Sequence, residues 1–199
     1  YKKCRAYETA FDLKEEGKIR HVGLSFHDKA EVLDNILTQY PQVEIVQIQF
    51  NYLDWSLQDG KRKLEVLKKY DMPVWVMEPV RGGALIGLSD ENRARLDAAE
   101  AGLTPAKAAF RYLQGFDQIK VVLSGMSAME QVEDNIAAFA ERRPLNEKAC
   151  GALMEVAETL KSSVPCTKCR YCVDECPMGL NIPWLIALYN DAKVAPSMT

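Results

Sequence analysis

The sequence predicts an α/β fold with a parallel sheet, followed by a helical segment that carries four closely spaced cysteines. As far as residue 143, short apolar runs alternate with longer stretches of helical periodicity. The short runs are apolar almost throughout, which is typical of strands buried on both faces. Alternation of strand and helix in this way indicates βαβ units, and therefore a parallel sheet.

Four strands and the helices between them follow from this pattern. Gly102 interrupts the longest helical stretch, and Thr104-Pro105 is a good helix start because proline suits the first turn. The predicted strands are residues 21–25, 43–50, 74–77 and 119–124, and the predicted helices are residues 28–38, 57–70, 90–114 and 129–141.

The pattern changes at Pro144, after which no strand is predicted. Asn146 is suited to cap a helix that runs to about Ser162, and the cysteines and a shorter helix follow. We therefore expect two domains: residues 1–143 form the α/β part, and residues 144–199 form a helical extension.

Composition narrows the class of protein. The chain has 199 residues, 48% of them hydrophobic, and a formal net charge of −3, which suits one sizeable core with a small appendage. No basic cluster indicates nucleic-acid binding, and no apolar run approaches the roughly 20 residues that span a bilayer. Six cysteines without a secretion signal indicate a cytoplasmic location. Because the chain begins at Tyr1 inside a charged helical segment, we also expect a missing N-terminal portion.

The cysteines form the most specific motif. Cys166, Cys169, Cys172 and Cys176 follow the spacing C-x2-C-x2-C-x3-C, with Pro177 next, which is the ligand run of a bacterial-type iron–sulfur cluster. Either Cys176 completes a single 4Fe-4S cluster, or it binds a second cluster whose other ligands are absent from the sequence. Zinc is the alternative metal, since four thiolates also suit a tetrahedral site. A pair of disulfides is the weaker alternative in a reducing compartment.

Several segments occur in the order in which similar segments occur in the aldo-keto reductases. The chain resembles that family in EGKIRHVGLSFHD, in VQIQFNYLD (46–54), in VWVMEPVRGGAL (74–85), in TPAKAAFRYL (104–113) and in VVLSGMSAMEQVEDNIAAF (121–139). Members with a ferredoxin-like extension are known, and CTKCRYCVDECPMGLNIP (166–183) resembles that extension.

This resemblance implies a fold and an activity. The implied fold is a partial TIM (β/α)8 barrel of about strands 5–8, followed by a small helical iron-sulfur tail. The implied activity is that of an NAD(P)-dependent oxidoreductase that acts on a small carbonyl substrate. Its cofactors would be NAD(P)(H) and the 4Fe-4S cluster, and the nucleotide would lie at the C-terminal ends of the strands.

The resemblance also implies a nicotinamide site. Ser25 and Gln47 match residues that bind the carboxamide, and Met77 stands where many members place a tyrosine that stacks on the ring. The loop that begins at Arg81 can approach a pyrophosphate through backbone N–H groups, with the arginine adding charge. The structural alternatives are a strand-end serine that starts a turn, a buried polar network and an ordinary loop.

Further residues would bind the adenosine half. Gly125 precedes a helix, so the backbone can approach a phosphate there. Asp134 and Asn135 match residues that contact adenine, and the alternative for both is a solvated helix face. NADP-preferring members carry basic residues at positions that match Gly125 and Gln131, which are uncharged, so NAD and NADP both stay open.

The family's catalytic Tyr, Lys, Asp and His come from its first four βα units, and no residue of this chain matches them. We therefore expect the chain alone to be inactive, with the complete protein acting as the oxidoreductase. Half a barrel would leave two sheet edges open, so we also expect pairing with a missing N-terminal half-barrel or self-association. The alternative functions are a non-catalytic, cluster-bearing electron-transfer or structural module and a zinc-stabilised interaction domain.

Overall fold

A parallel sheet organises the chain, of which the computed structural model describes residues 2–161, 164, 166 and 169–194. Its strands lie side by side in chain order and are all parallel. The register places Ser25 beside Gln47, and Gln49 beside Met77. The strands are β1 (Gly23–Phe26), β2 (Ile45–Gln49), β3 (Val74–Met77) and β4 (Ile119–Val122).

Helices precede the first strand, connect the strands and follow the last one. Those in the first part are α1 (Ala6–Glu15), α2 (Ala30–Gln39), α3 (Asp54–Leu57), α4 (Gly60–Lys69), α5 (Asp90–Ala99), α6 (Pro105–Leu113) and α7 (Met129–Phe139). After them come α8 (Glu147–Lys161), α9 (Tyr171–Asp174) and α10 (Ile182–Val194). As the sequence predicts, α6 starts at Pro105, and the Thr104 hydroxyl accepts a hydrogen bond of 3.2 Å from the Lys107 backbone N–H.

The two inner strands form the centre of the hydrophobic core. Val46, Ile48, Val74 and Val76 have no exposed surface and share one face of the sheet, because alternate residues of a strand point to the same side. Leu33 of α2 also packs fully buried in this core. The prediction that these strands are buried on both faces is therefore wrong, because the other face of β3 carries Trp75, which is 36% exposed.

Helix α8 packs against α5 and α6. Ala149, Leu153 and Val156 on α8 are fully buried in the core of the α/β part, and the Asn92 amide donates a hydrogen bond of 2.9 Å to the Thr159 hydroxyl. Helix α8 is thus part of the body of the fold, not part of a tail. The division into residues 1–143 and 144–199 stays a prediction.

The predicted helix 57–70 corresponds to α4, except that residue 57 ends the separate short helix α3. Asp59 adopts a left-handed conformation (φ 55°) between α3 and α4, which interrupts the helical path. The next position, residue 60, leaves no room for a side chain. A Cβ atom there would lie 2.7 Å from the Asp54 carbonyl oxygen and 3.0 Å from the Phe50 ring, so the residue is glycine.

No helix among the described residues is long and apolar enough to cross a membrane. The cytoplasmic location stays a prediction.

Candidate functional site

A groove of about 820 Å³ opens beyond the C-terminal ends of β3 and β4. In parallel α/β sheets, this is the end of the sheet at which ligands bind. The groove runs between the loop after β3, the loop after β4, and the facing sides of α6 and α7. Its lining includes Met77, Glu78, Gly82, Gly83, Phe110, Ser124, Gly125, Glu130, Asp134 and Asn135.

The loop after β3 forms one wall of the groove in an unusual backbone conformation. Glu78 and Arg81 have positive φ angles of 56° and 53°, and Gly82 and Gly83 have φ angles of 60° and 90°. Left-handed backbone costs roughly 1–2 kcal/mol for a residue with a Cβ atom. The Asn51 amide opposes this cost by donating a hydrogen bond of 2.9 Å to the Glu78 carbonyl oxygen.

A buried polar network lies next to this loop and is centred on Asp54. One carboxylate oxygen of Asp54 accepts hydrogen bonds of 2.8 Å from Gln49 and 2.7 Å from Asn51. The other oxygen lies 3.7 Å from Nη2 of Arg81, which is 6% exposed. The network joins the end of β2 to the loop after β3.

The loop after β4 and the start of α7 form the opposite wall. The Gln131 side-chain oxygen accepts hydrogen bonds of 2.8 and 3.3 Å from the N–H groups of Ser127 and Ala128. The Asn135 amide donates a hydrogen bond of 3.1 Å to the Ser124 hydroxyl. A Cβ atom built on Gly125 would meet nothing within 4 Å, so its backbone faces open space.

The predicted carboxamide residues lie on neighbouring strands. Ser25 of β1 is paired with Gln47 of β2, and its hydroxyl lies 3.3 Å from Nε2 of His27. The Gln47 amide donates a weak hydrogen bond of 4.0 Å to the sulfur of Met77. Ser25, Gln47 and Met77 therefore lie within the neighbouring strands β1, β2 and β3, and of the three only Met77 lines the groove.

Two titratable side chains outside the groove, those of Tyr52 and Lys63, are buried in the protein. Burial raises the pKa of the Tyr52 phenol, whose hydroxyl has no hydrogen-bond partner among the described residues. Burial also lowers the pKa of the Lys63 ammonium, although the nearby carboxylates of Asp59, Asp54 and Asp28 act in the opposite direction. Neither Tyr52 nor Lys63 lines the groove.

The structure brings together four of the predicted nucleotide residues and separates three. Ser25 and Gln47 lie outside the groove lining, and Arg81 is buried against Asp54 instead of facing the groove. The sequence reasoning missed Glu78 and Glu130, which also line the groove. Glu130 and Asp134 are four residues apart, about one helical turn, so the sequence could have shown that both lie on the same face of a helix. Met77, Gly125, Asp134 and Asn135 are the four that line the groove; the roles of all seven residues stay predictions.

No three of the four cysteines, all of which the structure describes, are placed together as metal ligands. Cys169 and Cys172 are exposed, Cys166 and Cys176 are half-buried, and the Leu180 backbone N–H donates a hydrogen bond of 3.4 Å to the Cys176 sulfur. Within residues 2–161, 164, 166 and 169–194, no group of three or more His, Cys, Asp or Glu side chains is placed to hold a metal ion. The iron–sulfur and zinc sites therefore stay predictions.

Comparison with known proteins identifies a family and a fold. Residues 4–158 match the model of the Aldo/keto reductase family. No curated protein matches the chain. Among solved structures, the aldo-keto reductase AKR11C1 from Bacillus halodurans in its holo form is 20% identical with a TM-score of 0.61, over 75% of this chain and 54% of that one. An aldo-keto reductase from Klebsiella pneumoniae in complex with NADPH is 19% identical with a TM-score of 0.62, over 75% and 52%.

These matches correct the predicted fold class. The chain spans about half the length of the solved structures, and the family match extends from residue 4 into α8. The prediction of the C-terminal half of a barrel (strands 5–8) followed by a helical tail is therefore wrong. The chain has an α/β fold with four parallel strands, matched to the family from near its start and including most of α8.

Proposed function

The chain belongs to the aldo/keto reductase family, and we propose that it contributes a nicotinamide-nucleotide site to an oxidoreductase. The groove beyond β3 and β4 carries this proposal, because four residues that the family resemblance selected line it together. The Klebsiella pneumoniae relative was solved in complex with NADPH, which supports a nucleotide as the class of ligand.

The residues of the groove fit such a ligand. Gly83 and Gly125 face open space on opposite walls, so a phosphate can approach the backbone there without meeting a side chain. Met77 offers a flexible apolar surface to a nicotinamide ring, beside the Gln47 amide. A bound nicotinamide nucleotide supplies or accepts a hydride, and these residues would hold and orient it.

Filling the groove tests the proposal. We expect Gly125→Leu to weaken the binding of NADH or NADPH to the full-length protein at least tenfold, or about 1.4 kcal/mol, because the new side chain projects into the space the nucleotide needs. Gly125 has no neighbour within 4 Å of a built Cβ atom, so the urea midpoint of unfolding should change little. Titration of the nucleotide fluorescence measures the affinity.

Gly151→Leu is the matched control, because Gly151 also faces open space but lies on α8, away from the groove. Equal nucleotide affinity in the wild type and in both leucine variants would contradict the proposed location. If neither nucleotide binds the wild type, the proposed function itself is wrong.

The proposed reaction is the reduction of a small carbonyl substrate by the complete protein. The resemblance supplied no match for the family's Tyr, Lys, Asp and His, so we propose that the present chain alone is inactive. Among the described strands, β1 and β4 each have a neighbour on one side. We propose that these outer strands pair with a partner or with a second copy of the chain.

A second proposal concerns the cysteines. Their C-x2-C-x2-C-x3-C spacing favours a 4Fe-4S cluster, which would make residues 166–176 an electron-transfer or structural element. Zinc in the same thiolates is the alternative, in an interaction domain. We propose the cluster because zinc sites more often use two well-separated CxxC pairs, whereas here three cysteines follow one another at gaps of two residues.

Metal analysis after anaerobic purification tests this proposal. We expect absorbance near 400 nm and about four iron and four sulfide per chain, with a loss of iron in Cys176→Ser if this thiolate completes the cluster. Cys150→Ser is the control, because Cys150 packs against the core of the α/β part. Stoichiometric zinc without iron would contradict the cluster, and full iron in Cys176→Ser would contradict single-cluster closure.

A further inference from the structure

The side chain of Asn190 on α10 holds the backbone at Val164 with two hydrogen bonds. Its Nδ2 donates to the Val164 carbonyl oxygen at 2.8 Å, and its Oδ1 accepts from the Val164 backbone N–H at 2.7 Å. One amide thus satisfies both backbone polar groups of one residue, as the opposite residue does in a hydrogen-bonded pair of an antiparallel sheet. We call this pairing the Asn190 clamp. It joins residues that are 26 positions apart.

The Asn190 clamp closes a loop that contains the whole cysteine motif. Cys166 comes two residues after Val164, and Cys176 comes before the start of α10. Two residues of chain reach at most about 7 Å, so the clamp limits how far Cys166 can move from α10. The first cysteine of the motif is therefore tethered to this helix.

The last cysteine is attached to the start of the same helix by a tight turn. The Gly179 N–H donates a hydrogen bond of 3.0 Å to the Cys176 carbonyl oxygen, and Gly179 has a φ angle of 63°, which glycine adopts without strain. This turn aims the Leu180 N–H at the Cys176 sulfur, 3.4 Å away. Helix α10 then begins at Ile182. Both ends of the cysteine motif are thus connected to α10.

The residues of this loop fit an iron–sulfur cluster by their chemistry. None of the four cysteines is in a disulfide, so each can supply a thiolate. Hydrogen bonds to the cysteine sulfurs, such as the one from Leu180, are among the contacts that tune such clusters. Since the cysteines are not gathered, binding must order the loop, and the lost conformational entropy opposes binding. A loop whose ends are already joined has less of this entropy to lose.

We propose that Asn190 is a positioning residue for the iron–sulfur cluster, which it serves by holding the chain ahead of Cys166 against α10. The inference rests on the proposed cluster and adds a residue outside the cysteine motif that determines how firmly iron is retained. The Asn190 amide is already paired with Val164, so it acts through the loop and not as a ligand. Its removal leaves the four thiolates in place but lets the loop open.

The rate of iron release from the anaerobically purified full-length protein tests the proposal. Asn190→Leu keeps the approximate size of the side chain and removes both hydrogen bonds. We expect an iron chelator to abolish the absorbance at about 400 nm roughly tenfold faster in this variant than in the wild type, because two hydrogen bonds that restrain the loop are lost. In the protein freed of iron, the Val164 N–H should exchange its hydrogen faster in Asn190→Leu than in the wild type.

Asn181→Leu is the matched control. Asn181 is exposed and lies just before α10, and its side chain makes no hydrogen bond within the part of the chain that the structure describes. This variant should release iron at the wild-type rate. Wild-type release by Asn190→Leu, equally fast release by both leucine variants, or unchanged exchange at Val164 would overturn the inference and leave the cluster standing. A wild type that holds no iron would overturn the cluster, and the inference with it.

Discussion

The Asp54→Ala variant should lose about 3–5 kcal/mol of its free energy of unfolding, because removing one partner of a buried ion pair leaves the other charge uncompensated. Asp54 is fully buried, and the Arg81 guanidinium beside it is 6% exposed. The two hydrogen bonds from Gln49 and Asn51 to the Asp54 carboxylate are lost at the same time. Urea-induced unfolding at pH 7 measures the change.

The ion pair between Asp54 and Arg81 is poorly aligned. Its distance of 3.7 Å is too long for a hydrogen bond, and Arg81 Nε has no hydrogen-bond partner among the described residues. Replacing both partners should therefore cost less than replacing Asp54 alone. In Asp54→Ala/Arg81→Met, we expect at least about 1 kcal/mol of the single-variant loss to be recovered.

Asp12→Ala is the control for the loss of a carboxylate at an exposed helical position, and it should change stability by less than about 0.5 kcal/mol. An Asp54→Ala variant as stable as this control would show that the network does not hold the loop after β3. A double variant as unstable as the sum of its single variants would show that Asp54 and Arg81 are not coupled.

The second large effect is expected on α8. Leu153→Ala should lower the free energy of unfolding by about 2–5 kcal/mol, because it removes a fully buried side chain and leaves a cavity. The contacts of α8 with α5 and α6 mean that the cavity opens inside the α/β core. The urea midpoint followed by circular dichroism measures the loss.

Leu188→Ala makes the same chemical change at a leucine that is 50% exposed on α10. It should cost less than about 1 kcal/mol, since little packing is lost. If Leu153→Ala were no more destabilising than Leu188→Ala, α8 would not be part of the body of the fold.

The strands were the most predictable elements of the fold. The predicted bounds of residues 74–77 are those of β3, and the predicted break at Gly102 separates α5 from α6. These features depend on local pattern, because buried strands are apolar and glycine ends helices. The packing of α8 was missed because the change of pattern at Pro144 says nothing about which surface the next helix covers.

Part of the candidate site was also predictable from local sequence pattern. Met77 ends β3 and Gly125 lies on the loop after β4, so their position along the chain places them at the groove, and Asp134 and Asn135 lie on the helix that follows. The direction of the Arg81 side chain depends on Asp54, which belongs to another loop. Tertiary pairing of this kind leaves no local signal in the sequence.

The sheet has one further property, which concerns its assembly. Each strand lies beside the strand that precedes it in the chain, so each newly added βα unit needs only its predecessor as a template. Contacts between consecutive units close shorter loops, and at a smaller entropic cost, than contacts between distant units. The sheet can therefore grow in the order in which the ribosome releases it.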